Sequence, residues 1–138
     1  MSVFLDTGVV VAAHNTRDPH HGRALEILSE VREGTHGTGY SSDFVLDEAV
    51  TLALVRTKSR RIALDVGRFF VPEKGEPGMV ALLHVDEGTV RRAWESFVRR
   101  DTPLSFTDWT IVEQVRALDV DRVASFDGKL DPWVARLA

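Results

Sequence analysis

Short apolar runs alternate along this chain with longer stretches of helical period, and that alternation leaves few folds open to it. Ser2–Leu5, Met79–Val85 and Val120–Ser125 read as buried strands, and Thr35–Tyr40 as a further one whose two glycines weaken it. Between them lie helical segments. One opens at Asp18-Pro19 and runs to Glu33, where Gly34 stops it. The next starts at Ser42 or Asp43, and another covers Ser59–Phe70. The last two are capped by Asp86 and Ser105 and end near Arg100 and Leu118. Thr7–His14 starts a helix directly after the first strand, and Val134–Leu137 forms a helical turn or a final strand. Strands separated by helices run parallel, so the expected fold is α/β, with a central parallel sheet covered by helices on both faces. No repeat, low-complexity tract or linker divides the sequence, and 138 residues fit one domain, 1–138.

Parallel sheets of this kind bind ligands beyond the carboxyl ends of their strands. Asp6 follows the first strand and Asp127 a late one. Asp108 stands at the third residue of its helix, and Glu48 about one turn into another. Each has an ordinary explanation: Asp6 as a helix cap, Asp108 at the positive end of a helix, Glu48 facing solvent, Asp127-Gly128 as a turn. Together they supply the oxygen ligands that a hard divalent cation prefers.

Other chemistries find less support. Without cysteine there is no disulfide framework, thiolate zinc site or cysteine nucleophile. His14, His20, His21, His36 and His84 show neither zinc spacing nor a Ser/His/Asp order, and read as surface or structural. GEPG and GTHGTG lack the lysine and hydroxyl of a phosphate loop. A phospho-acceptor domain would need paired acids after the first strand, where only Asp6 stands. With no signal-like N-terminus and no apolar run near 20 residues, the expected place is the cytoplasm, not a membrane. The net charge of −4 counts against a nucleic-acid substrate unless acids gather in one site with bases around it. Lys58-Ser59-Arg60-Arg61, Arg91-Arg92 and Arg99-Arg100 are the clusters that could contact phosphate, or form solvated helix faces.

The stretches FLDTGVVVAA, SDFVLDEAVTLALVR and LSFTDWTIVEQVRALDVDRVASFDGKLD, in this order, resemble the PIN-domain family, and within it the VapC-type toxin ribonucleases. The resemblance spans roughly residues 1–131 and is strongest from Leu104 to Asp127. It implies a three-layer α/β/α fold and an acidic pocket for Mg²⁺ or Mn²⁺. It also implies hydrolysis of RNA, a small antitoxin partner and a homodimer. Asp6, Glu48, Asp108 and Asp127 match the family's acids, with Thr7, Thr107 and Asp131 as supporting candidates. Asp47 adjoins Glu48, and the family pattern favours Glu48. Residues around Val45 and Leu52, or Phe69-Phe70, are the candidates for an apolar interface, or else core. A PIN-like scaffold that holds metal poorly is the rival reading.

Overall fold

The computed structural model describes residues 1–138. Its centre is a five-stranded, all-parallel sheet in the order β3-β2-β1-β4-β5. The strands are β1 (Ser2–Leu5), β2 (Thr38–Ser42), β3 (Ala81–Leu83), β4 (Arg122–Ala124) and β5 (Arg136–Leu137). The helices are α1 (Thr7–His14), α2 (His21–Arg32), α3 (Asp43–Thr57), α4 (Arg60–Phe70), α5 (Glu87–Arg99) and α6 (Phe106–Leu118). Helices α1 to α4 pack on one another and α5 pairs with α6, giving the expected three-layer α/β/α arrangement. No helix is long and apolar enough to cross a membrane.

β1 is buried almost throughout because its neighbours lie on both sides, β2 through Phe4 against Tyr40 and β4 through Leu5 against Ala124. Its residues join one core with Val9 and Val10 of α1, Ile27 of α2, Val45 of α3 and Ile111 and Trp109 of α6. Fully burying one such side chain contributes roughly 1.5–3 kcal/mol. The chain leaves β1 toward β2 and β3, then returns to place β4 on its other side. The order therefore reverses between β1 and β4, and such a switch point opens a crevice at the carboxyl ends of those strands.

Several boundaries differ from those read in the sequence, each for a local reason. Asp18 does not cap α2: its Oδ1 accepts the His20 N–H at 2.8 Å in a tight turn, and the helix begins at His21. β2 begins later than expected because Gly34 and Gly37 turn the chain at φ 78 and 72. A Cβ at Gly37 would lie 1.9 Å from the Met1 carbonyl oxygen. β4 starts at Arg122 because the Val120 N–H is taken by the Val115 carbonyl, which completes the α6 terminus around Asp119 at φ 52. β3 is reduced to three residues on the sheet edge, with pairing only to β2. The final segment resolves into strand β5. Val45 and Phe70 are core residues, so they provide no interface; the exposed large apolar side chains include Trp94, Phe97 and Val98 on α5.

Candidate active site

A cleft of about 480 Å³ opens at the switch point, lined by Asp6, Glu48, Asp108 and Asp127 together with Thr7, Ser105 and Ser125. The elements explain why these acids meet. β1 ends at Leu5, and Asp6 becomes the N-cap of α1, its Oδ1 accepting the Thr7 N–H at 2.7 Å. β4 ends at Ala124, and Ser125 stands beside Asp6 across the two strand ends; its hydroxyl donates to Asp6 Oδ2 at 2.7 Å and accepts the Asp127 N–H at 3.0 Å. The cap role expected for Asp6 and the cleft position are thus compatible. The same holds for Asp108, which forms a reciprocal capping box with Ser105 while lining the cleft. Asp127 caps the short 3-10 turn Gly128–Leu130, with its Oδ2 at 3.5 Å from Lys129 Nζ.

Glu48 reaches the cleft from α3, with Leu52 and Arg56 one and two turns further along the same face. Asp47 is exposed and lies outside this cleft, which settles which of the adjacent acids faces it.

Burial sets the electrostatics. Asp6 is 7% exposed, and desolvation lifts its pKa to about 6 against the hydrogen bond from Ser125; the charges of Asp108 and Glu48 push the same way. Burial also raises Asp108, opposed by its bonds from Ser105 and reinforced by the Asp127 charge. These carboxylates repel one another at neutral pH, and a cation between them would relieve that repulsion. The Thr7 hydroxyl, buried in the same wall, has no hydrogen-bond partner. Hard carboxylate oxygens, one carboxylate held ionised with difficulty, and an orphaned hydroxyl fit a hard divalent cation. As placed, the acids do not close into a ready three-ligand set.

Three sets of candidates stand outside the cleft. Asp131 lies outside the cleft, where it pairs with Arg136 at 2.8 Å. Thr107 lines a neighbouring groove that shares Glu48 and Leu52 with the cleft; of the hydroxyl candidates only Thr7 lines the cleft itself. The basic clusters do not line it either. Arg61 pairs with Asp65, Arg91 with Glu87 and Arg92 with Glu113, while Arg100 lies 4.6 Å over the Trp133 ring. The cations that line the cleft are Arg56 and Lys129, which the clusters did not include.

Ser125 and Ser105 were also missed as site residues. Their signal lay in spacing, two residues before Asp127 and three before Asp108, where a hydroxyl can bond the chain around an acid. Of the histidines, His14, His21, His36 and His84 are tied to the fold through Val10, Ala12, Glu30 and Asp43. His20 is not: its ring stands in the cleft wall.

Comparison with known proteins agrees with this fold. A VapC ribonuclease of Archaeoglobus fulgidus is 25% identical over 138 residues, covering 99% of this chain and 84% of that one. VapC20 of Mycobacterium tuberculosis, a sarcin-ricin loop cleaving toxin, has a similar structure with a TM-score of 0.81 at 27% identity, over 94% of this chain and 93% of that one. VapBC2 of Rickettsia felis, solved with a DNA fragment from its promoter, shares the fold with a TM-score of 0.67 at 15% identity, over 99% and 98% of the two chains. The family model for the PIN domain matches residues 3–132, and the chain belongs to that family.

Proposed function

We propose that this protein is a metal-dependent endoribonuclease, a single PIN nuclease domain over residues 1–138, acting as the toxin of a toxin–antitoxin pair. The observation that carries this is the gathering of Asp6, Glu48, Asp108 and Asp127 in one cleft at the switch point, with Asp6 buried and raised to about 6. The likeness to a VapC ribonuclease and to a sarcin-ricin loop cleaving toxin supports RNA as the substrate and a structured loop as a target class. The likeness to a chain named for its complex, VapBC2, supports a small protein antitoxin. Action in the cytoplasm and a homodimeric assembly complete the reading.

Asp6, Asp108 and Asp127 would hold Mg²⁺ or Mn²⁺, with Glu48 completing the set or holding a water beside it. The ion, when bound, supplies charge neutralisation of the phosphate and a more acidic water. The protein does the rest by position. Ser125 holds Asp6 and, through its bond from the Asp127 N–H, fixes the turn that carries Asp127. The Ser105 capping box holds the Asp108 side chain in place, so little reorganisation is needed when charge develops on the phosphoryl oxygens. Arg56 and Lys129 offset the cleft's negative charge where the RNA backbone enters.

The test is incubation of the purified protein with total RNA in Mg²⁺, in Mn²⁺ and in chelator, with mapping of the new ends. Discrete cuts that need the cation and disappear in Asp108→Asn are expected. Cuts that persist in chelator or in that variant would overturn the reading.

A further inference from the structure

The acids leave one wall of the cleft unexplained. His20 lies flat on Phe126, with ring centroids 4.2 Å apart and planes 10° from parallel, and both residues line the cleft. The position of His20 is unusual for its chemistry. It is the N-cap of α2, a place that favours Ser, Thr, Asp or Asn, yet its side chain makes no capping bond. The backbone there is held without it: the His20 N–H donates to Asp18 Oδ1 at 2.8 Å, and its carbonyl accepts the Ala24 N–H at 2.8 Å. The ring is therefore not needed to cap the helix, and the residue is exposed.

Phe126, in contrast, is firmly placed. It is partly buried against the core and sits between Ser125 and Asp127, whose mutual hydrogen bond fixes the turn. A rigid ring beneath and an exposed ring above form a stack whose outer face is open. Planar nucleobases extend such stacks, whatever their sequence, and unpaired bases are the form in which RNA offers them.

We propose that the His20–Phe126 pair is a stacking platform for an unpaired nucleobase adjoining the phosphate held at the acids, so that His20 is a positioning residue selecting single-stranded or flipped-out RNA. This rests on the ribonuclease reading for its substrate class. Phe126 is one residue from Ser125 and from Asp127, so the base on the platform belongs to a nucleotide close to the bond that is cut. A fully paired helix keeps its bases in its own stack and cannot use the platform.

The test separates the platform from the nuclease activity. Single-stranded RNA octamers, each with one 2-aminopurine at a successive position, are titrated with the Asp108→Asn protein in Mg²⁺. At one position, saturation should quench the probe, because stacking quenches 2-aminopurine fluorescence. Adding His20→Ala should abolish that quenching and weaken binding about tenfold, the scale of one base–aromatic stack. Adding His20→Tyr, which keeps a ring, should retain both. Quenching that does not depend on a ring at position 20, or octamers that do not bind, would overturn the platform. Cleavage by the unmutated chain, read in parallel, gives the separation. Cutting of total RNA without ring-dependent quenching defeats the platform alone, whereas ring-dependent quenching with no cation-dependent cut in total RNA upholds it and defeats the nuclease reading.

Discussion

The Ser125 hydroxyl donates to Asp6 Oδ2 at 2.7 Å, joining positions 119 residues apart at the carboxyl ends of two neighbouring strands. That bond favours the ionised form of Asp6 against a burial that disfavours it. Ser125→Ala should therefore raise the pKa of Asp6 above about 6 and move the acid limb of the pH–rate profile upward. It should also cost about 1–2 kcal/mol of stability through the lost buried hydrogen bond. A pH–rate profile and urea melts check both; an unmoved acid limb would contradict the account.

Asp6 also sets a pH dependence of folding. Its pKa is about 6 in the fold against 3.8 for a free aspartate side chain, so between those values the folded chain holds the proton that the unfolded chain has released. The stability of the metal-free protein should accordingly fall as pH rises from about 4 to 6, by on the order of 3 kcal/mol. On the proposed reading Mg²⁺ would take the proton's place, so its stabilising effect should be larger at pH 7.5 than at pH 5. Thermal melts with and without the ion at both pH values give the comparison, and an equal shift at the two would refute it.

Glu48 and Asp47 are adjacent in sequence but only Glu48 lines the cleft. Glu48→Gln should lower kcat by about 10²–10³, the scale on which removing one electrostatic group from an active site acts. Asp47→Asn should leave kcat within about twofold, since an exposed surface substitution disturbs little. Equal losses in the two variants would show that the helix is oriented otherwise.

Arg56 lies two turns beyond Glu48, about 12 Å along the helix axis. Arg56→Gln should weaken RNA binding and lower the salt slope by about one unit, as expected for one lost phosphate contact. The same change at Arg91, which is paired with Glu87 on an exposed face, should leave the slope unchanged. Titrations at several salt concentrations distinguish the two.

Asp131 holds Arg136, which in turn donates to the Ser125 carbonyl at 3.0 Å. Asp131→Ala should leave stability nearly unchanged, as the loss of an exposed ion pair does, and leave cleavage largely intact. A loss comparable to that of Asp108→Asn would return Asp131 to the cleft.

The sequence made the order of elements readable because its caps are strong. Ser59, Asp86 and Ser105 each accept an N–H from the helix they open, and those helices begin where their hydroxyl or carboxylate predicts. The principal acids were legible for a related reason, since Asp6 and Asp108 sit at element boundaries. Spacing could not show which way a side chain turns beyond its own element. Asp131 resembles a further cleft acid until Arg136 folds back to claim it, and Thr107 lines a neighbouring groove beside Glu48 although Asp108 follows it. The paired arginines look like a phosphate track in the linear sequence, but Glu87 and Glu113 neutralise two of them on the folded surface. The His20–Phe126 stack was illegible because its two rings come from opposite ends of the chain.

The placement of β1 between β2 and β4 has a consequence for the life of the protein. The middle strand is made before its neighbours in the sheet, and Ser125, which completes its carboxyl end beside Asp6, follows that acid by 119 positions. A nascent chain that stops short of β4 presents Asp6 at an unfinished edge, with no hydroxyl beside it and no fourth acid. A nuclease built this way stays silent until β4 and the turn beyond it have been made.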